Sequence, residues 1–347
     1  MIGFAWRKYH LFLPQIIFIF FFYACDSGRY DVDVSHIEAP IEVKRFEVEL
    51  FNIPEENFEK EIVSLQEKYP EMFRFYVEHL LRAGSVEKES YVENLKKFVY
   101  DPYMRELYND QMAQFRKFDQ YEQEIEEGMR HVKYYYPKDT LPAIFTIITG
   151  MTYQVVTFEG AFIAISPDMF LGADYKFYPS RDYYNYQMRR FRPEYIDAQV
   201  LKAYYSMKFP EAEYVDNTLL SEMIYQGKML FWLDVMAPEM DDTIKIEYTG
   251  EQLEWAQENE GEMYQHFVQE ELFYITKQVI KDRYMRDAPF TIAEGVPQES
   301  SPRLGEYLGW QIVRNYMDDN DAVTVQELFA DKNYQKIFDR SRYKPRL

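Results

Sequence analysis

Apolar residues recur at steps of three, four and seven over residues 218–238. This spacing predicts a helix with a wide apolar face that packs in the core. Gly227 falls in the middle of that face, where a glycine costs about 1 kcal/mol relative to alanine. We therefore expect the backbone of a second helix to approach closely at Gly227. The polar neighbours Gln226 and Lys228 are expected on the rim of this buried seam.

Helical periodicity continues through most of the chain outside a central β-rich stretch. Pro70 divides the first helical stretch into two pieces, because a proline interrupts the hydrogen-bonding pattern of a helix. The capping-box residues Thr249 and Gln252 predict the start of a long helix. The pattern predicts further helices over 55–81, 90–99, 106–136, 196–207 and 325–329, and a connecting loop over 289–302.

A last core helix is predicted over 304–317, and it contains two glycines, Gly305 and Gly309. Small residues one turn apart allow a neighbouring helix to come close. We therefore expect both glycines, like Gly227, to be structural contacts between helices.

Short apolar or alternating runs predict four strands, over 43–51, 143–148, 153–158 and 161–165. The last three follow one another through Gly150 and Gly160, an arrangement that predicts a three-stranded meander extended by the 43–51 strand. The predicted fold class is therefore α+β and mainly helical, with a small β meander packed on helices. No Gly/Ser-rich linker follows residue 41, so residues 42–347 are predicted to form one domain.

The first 24 residues have the features of a bacterial export signal. They contain no acidic residue, and two basic residues precede an apolar run that is too short to span a membrane. Ala24 precedes Cys25, the only cysteine, as in the lipidation signal of bacterial lipoproteins. We predict a signal peptide over 1–24, acyl chains on Cys25 and a lipidated tether over 25–41. The alternative is an ordinary secreted protein with one free thiol.

The charge of the chain restricts its partners. It has 39 Lys and Arg residues against 59 Asp and Glu residues, a formal net charge of −20. Loss of Arg7 and Lys8 with the signal peptide leaves 37 against 59, or −22. This acidity disfavours binding to nucleic acid or anionic lipid. No later segment offers the roughly 20 apolar residues of a membrane span. We expect the acyl chains to hold the exported protein on the periplasmic side of the inner or outer membrane.

Residues that commonly build catalytic sites are sparse. The five histidines include no pair at metal-ligand spacing, and no His-Glu-x-x-His motif occurs. One cysteine is too few for a cysteine-based zinc site, and no cofactor fingerprint is present. We therefore predict no cofactor and no catalytic residues. An aromatic-rich loop over 173–186 is a candidate platform for stacking on sugars, but its rings are more commonly a cover for the sheet.

Several longer segments together resemble one known family. They are AISPDMFLGADYKFYP, PEYIDAQVLKAYYSM, MIYQGKMLFWLD and SPRLGEYLGWQIVRNYM. With the lipidation signal, they resemble the gliding-motility lipoprotein GldB family of the Bacteroidetes over essentially the whole chain. The resemblance implies a lipid-anchored component of the gliding apparatus, with protein partners in that machinery.

That family is in turn similar to predicted zinc proteases of the zincin type. In those enzymes one helix carries His-Glu-x-x-His and the next carries a ligand in Glu-Gly-x-Ala. The resemblance places Leu201, Lys202 and Tyr205 at the three positions of the first motif, and Gln226 at the glutamate of the second. None of these side chains suits zinc as His or carboxylate does.

The resemblance therefore implies a zincin-like domain that has lost catalysis and acts in assembly or stabilisation of the gliding apparatus. Two alternatives stay open at this point. One is an envelope-anchored lipoprotein that binds glycan or peptide through the 173–186 loop. The other is a hydrolase that uses non-standard residues.

Overall fold

The computed structural model describes residues 29–158, 160–214 and 216–346. The four strands are β1 (Val43–Arg45), β2 (Ala143–Thr146), β3 (Val155–Phe158) and β4 (Phe162–Ile165). The helices are α1 (Phe46–Phe51), α2 (Phe58–Lys68), α3 (Pro70–Arg74), α4 (Ser90–Tyr100), α5 (Pro102–Phe115), α6 (Asp119–Tyr135), α7 (Asn185–Met188), α8 (Ile196–Lys208), α9 (Glu211–Tyr214), α10 (Leu219–Met236), α11 (Asp242–Ile246), α12 (Gly250–Glu258), α13 (Glu260–Gln269), α14 (Gln278–Met285), α15 (Leu304–Asp319), α16 (Val325–Ala330) and α17 (Tyr334–Ser341). The α+β, mainly helical class is confirmed.

The sheet has the strand order β1-β2-β4-β3, so the predicted meander is wrong. β2 pairs in parallel with both β1 and β4, and only β3 and β4 form an antiparallel hairpin. The turn after β2 explains the difference. The buried carboxylate of Asp168 accepts a hydrogen bond from the backbone N–H of Met151 at 2.6 Å. This contact holds the 149–153 turn beside the end of β4, and the chain then continues as the edge strand β3.

Both faces of the sheet are covered. Phe145, Phe158 and Phe162 share one face by register, and their rings contact Tyr69 and Phe75 of the N-terminal helical layer. The alternate residues of β4, Ile163 and Ile165, are fully buried on the other face. Because both faces are buried, β4 is a continuous apolar run rather than an alternating one.

The predicted strand over 43–51 is correct only for its first three residues. The remainder, VELF included, forms α1, in which Phe46 and Leu50 lie one turn apart and are fully buried. The buried carboxylate of Glu47 accepts hydrogen bonds from Arg45 and Thr146, so this charge is paired where β1 passes into α1.

The helices follow most of the predicted pattern, and the differences are local. Pro70 is the first residue of α3, as expected for a proline that begins a helix. The helix predicted over 106–136 is two helices, α5 and α6, and the long helix opened by the Thr249–Gln252 capping box ends at Glu258 before α13 begins. Besides α1, five shorter helices have no counterpart among the predicted helices: α7, α9, α11, α14 and α17.

The described part of the predicted tether, residues 29–41, packs on the domain, and we call it the N-terminal strap. Arg29 donates a hydrogen bond to the carbonyl oxygen of Met317 at 2.6 Å, and the ring of Tyr30 meets Phe231 edge to face. Val34 and Ala39 are buried. The described part of the predicted tether is therefore part of the packed domain.

Candidate functional site

α10 and α15 form the most extensive helix contact among the described residues. They meet at two glycines. A Cβ atom on Gly227 would lie 2.3 Å from the carbonyl carbon and oxygen of Gly309, and a Cβ on Gly309 would lie 1.9 Å from the carbonyl oxygen of Met223. The backbone approach expected at Gly227 is thus present, and Gly309 is its partner. Gly305 is close as well, since its Cβ would lie 2.5 Å from the Met285 sulfur.

Two of the positions that the zinc-protease resemblance singles out are buried in the core. Leu201 packs against Gly128 of α6, where an added Cβ would lie 2.9 Å from its methyl groups. Tyr205 is fully buried, and its ring contacts an aromatic cluster that includes Trp232 and Phe329. Both side chains fill space between helices.

Lys202, the third position on α8, belongs to a buried charge network around Glu247. Its Nζ atom lies 2.7 Å from Oε1 of Glu247, which also accepts a hydrogen bond from Gln199 at 2.8 Å. Arg190 binds the other carboxylate oxygen, and Arg303 lies 3.9 Å from it. Burial acts to raise the pKa of Glu247, but the three cations together hold that pKa well below its ordinary value. The network joins the start of α8, the 247 turn and the start of α15.

The two polar residues beside Gly227 differ from each other. Gln226 is half-buried, in agreement with a position on a rim, but Lys228 is fully buried, and its predicted rim position is wrong. Lys228 Nζ donates to the carbonyl oxygens of Phe329 at 3.3 Å and Asp331 at 2.7 Å. Burial lowers its pKa to about 7, with Asp331 acting in the opposite direction. Lys228 thereby connects α10 to the end of α16.

The structure does not bring the histidines together. Among residues 29–158, 160–214 and 216–346, no group of three His, Cys, Asp or Glu side chains is placed to hold a metal ion. His131 is buried on α6, with Nδ1 lying 3.1 Å from the carbonyl oxygen of Glu127. His266 lies elsewhere, with Nε2 2.9 Å from the hydroxyl of Tyr284.

Most rings of the 173–186 loop cover neighbouring structure. Tyr178 is fully buried and donates its hydroxyl proton to the carbonyl oxygen of Asp168, and Tyr183 donates to that of Met151. Tyr175 donates to Asp110. Tyr184 is different, since it is 66% exposed. Its ring stacks on Tyr186 with a centroid distance of 5.6 Å and an angle of 9°.

A groove of about 550 Å³ lies beside the N-terminal strap, and we call it the strap groove. Sequence patterns did not point to it, because its walls come from separate parts of the chain. They are residues 31–35 of the strap, one side of α6, the start of α8 and the segment between α10 and α11. Eight of the lining residues are acidic: Asp31, Asp33, Glu124, Glu127, Glu194, Asp197, Glu239 and Asp241.

Cys25 lies outside the described residues, so its lipidation stays a prediction. None of the helices in the described ranges combines the length and the apolar character needed to cross a membrane.

Comparison with known proteins gives one match. The family model described as gliding motility protein GldB matches residues 27–345. No curated protein and no solved structure matches the chain. The match covers nearly the whole length, including the strap, the sheet, the α10–α15 seam and the C-terminal helices. The chain therefore belongs to the family of gliding motility protein GldB.

Proposed function

We propose that this protein is a lipid-anchored, catalytically inactive component of the gliding-motility apparatus, which acts in its assembly or stabilisation. Membership of the family supports the role in gliding. The observation that carries the non-catalytic part is the use of the former-site positions. Leu201 and Tyr205 fill the core, and Lys202 neutralises Glu247 in a buried network. Side chains committed to such contacts are not free to bind and activate a substrate.

A zincin-like origin is part of the same proposal. α8 and α10 follow the sheet in the order in which zinc proteases would carry their two ligand motifs, and Gly227 keeps the glycine of the second motif. The close contact with Gly309 gives a structural reason for Gly227 to be kept, although the neighbouring metal-ligand position is now Gln226. The scaffold is then retained for its shape.

The anchor completes the proposal. Acyl chains on Cys25 would hold the domain to the envelope membrane, with the strap beginning four residues later. Because the strap is packed on the domain from Arg29 onward, the domain would stay near the membrane surface. Its partners would then be other proteins of the gliding machinery at that surface.

Deletion and complementation in the host cell test this function. Deleting the gene should abolish spreading on agar, and the full chain should restore it. A Cys25→Ala chain should incorporate no fatty-acid label and should restore spreading poorly. A Gln226→Ala chain should restore it fully, since the side chain has no catalytic task here. Normal spreading of the deletion strain would remove the gliding role, and loss of spreading with stable Gln226→Ala protein would argue for chemistry at that position.

One observation favours a second candidate, the binding of glycan or peptide by the 173–186 loop. The exposed ring of Tyr184, which stacks in parallel on the half-buried Tyr186, offers a flat aromatic surface of the type on which sugar rings stack. Titration with cell-wall oligosaccharides should then saturate, and Tyr184→Ala should abolish binding. Tyr274→Ala is the matched control, because Tyr274 is 58% exposed on a different surface. Equal binding by both variants would exclude this candidate.

A further inference from the structure

The strap groove combines an apolar floor with an acidic rim. Its apolar lining comes largely from the segment that ends α10 and leads into α11: Met236, Ala237, Pro238, Met240 and Ile244. The eight acidic residues surround this floor, and no Lys or Arg is part of the described lining. A ligand that fits both properties carries positive charge together with apolar groups.

Six of the eight acidic residues of the strap groove lack the cationic partners that Glu247 and Asp234 have elsewhere in this protein. Glu247 has three cationic neighbours, and Asp234 is paired with Arg314 at 2.7 Å and with Lys245 at 3.0 Å. In the groove, Glu127 pairs with Arg130 and Glu194 with Arg192. The other six form no ion pair with the described residues: Asp31, Asp33, Glu124, Asp197, Glu239 and Asp241.

Asp197 shows the consequence of this imbalance. Its carboxylate accepts a hydrogen bond from the backbone N–H of Ala198 at 2.7 Å. Burial nevertheless raises the pKa of Asp197 to about 6, and the nearby charge of Glu124 adds to the rise. A cation placed in the groove would favour the ionised form and reverse this shift.

His131 is a second, independent feature of the strap groove. Its side chain lines the groove, yet the residue is only 5% exposed. Nδ1 is engaged with the carbonyl oxygen of Glu127, and Nε2 has no hydrogen-bond partner among the described residues. Such a ring nitrogen can accept from an amide or ammonium group, or donate to a carbonyl, according to its tautomer. A peptide supplies both kinds of group.

One wall of the groove is close in sequence to the predicted lipid anchor. Asp31 on its wall follows Cys25 by six residues, which span at most roughly 22 Å when fully extended. With Cys25 acylated, the groove lies close to the headgroups of the membrane. Its negative charge repels anionic lipid, so the lipid surface itself is a poor occupant.

We propose that the strap groove binds a basic, partly apolar segment of a partner protein where that segment emerges from the membrane. The lysine or arginine side chains lie against the unpaired carboxylates, and apolar side chains cover the Met236–Ile244 floor. This inference deepens the proposed function and rests on it for the membrane location, but the groove and its charges do not depend on it.

Peptide binding tests the inference with the full, acylated chain in nanodiscs of neutral lipid. The probe is a fluorescent octapeptide of alternating lysine and leucine, and a glutamate–leucine peptide is the negative control. The triple variant Glu124→Gln/Asp197→Asn/Glu239→Gln should weaken binding of the lysine peptide about tenfold or more, equivalent to ~1.4 kcal/mol. The matched control is Glu251→Gln/Glu254→Gln/Glu258→Gln, which makes the same change in net charge on exposed positions of α12 and should bind like the parent chain.

A steric variant gives a second, independent measurement. Ala237→Trp fills the groove floor and keeps every carboxylate, so it should also weaken binding when its melting temperature is unchanged. Equal weakening by the α12 control would show unspecific charge attraction and overturn the inference. The inference would also be overturned if the purified triple variant no longer bound the peptide but its strain spread fully. That result would leave the proposed gliding function unaffected. Normal spreading of the deletion strain, in contrast, would contradict the gliding function itself.

Discussion

The seam between α10 and α15 predicts a large effect from a single methyl group. In Gly309→Ala, the new Cβ would lie 1.9 Å from the carbonyl oxygen of Met223 and 2.5 Å from its carbonyl carbon. Ordinary contacts begin near 3.4 Å, so the helices must separate by about 1.5 Å, the difference between 3.4 and 1.9. Backbone atoms cannot move aside as a flexible side chain can. Overpacking of a core costs about 1–3 kcal/mol, and we expect the upper part of that range.

Alanine also has a better helix propensity than glycine, by about 1 kcal/mol. The net loss in the free energy of unfolding should therefore be about 2 kcal/mol, measured by urea denaturation of the exported domain. The corresponding fall in Tm is several degrees, since about 2–4 °C accompanies each kcal/mol in domains of 150–250 residues. Gly227→Ala should behave in the same way, because its Cβ would lie 2.3 Å from Gly309.

Gly250→Ala is the matched control for this prediction. Gly250 begins α12, and an added Cβ would meet no atom within 4 Å. That variant should be neutral or slightly more stable. Unchanged stability of Gly309→Ala, in an experiment that also finds Gly250→Ala unchanged, would refute the close-contact reasoning.

Two further predictions concern buried charges. Lys228 has a pKa of about 7 in the folded chain against 10.5 in the reference state, so the unfolded chain binds the extra proton between these values. The free energy of unfolding should therefore rise with pH from 7 to about 10, relative to Lys228→Met, by up to about 1.4 kcal/mol per pH unit; parallel pH curves for the two chains would contradict this. Glu247→Gln removes the anion that neutralises Lys202 and should lower the free energy of unfolding by about 3–5 kcal/mol. The surface variant Glu251→Gln should change it little. Equal denaturation midpoints for these two variants would rule out a stabilising network.

The close helix contact at Gly227 could be predicted from the sequence, because a glycine in an otherwise apolar helix face is unfavourable without a close neighbour. The family resemblance read from segments such as MIYQGKMLFWLD is confirmed by the family match. Identification of Gly309 as the partner of Gly227 required the structure, since periodicity places a residue on a face but does not say which face it meets. The loss of zinc ligands and of catalysis stays a prediction.

The errors have local physical causes. The alternation in VKRFEVELF fits a strand, but Phe46 and Leu50 also have helical spacing, and both are fully buried on α1. Periodicity also placed Lys228 on a rim. Its partners are the carbonyl oxygens of Phe329 and Asp331, about a hundred residues away in the chain, and no local pattern could reveal them.

Strand order and the strap groove depend on long-range packing in the same way. The parallel pairing of β2 with β4 follows from the turn that Asp168 holds, a contact made by a residue beyond the last strand. The groove has walls from four separate segments. Acidic residues are common in so acidic a chain, so it is their convergence around an apolar floor that distinguishes these eight.

The zinc content of the chain tests whether this domain supports gliding without metal-dependent catalysis. The acylated chain should be purified from its own host without chelator, and its zinc measured per mole of protein. We predict far less than one zinc per chain. We also predict no loss of spreading when cells are depleted of zinc. One zinc per chain, removed by a chelator together with the protein's ability to restore spreading, would contradict the account.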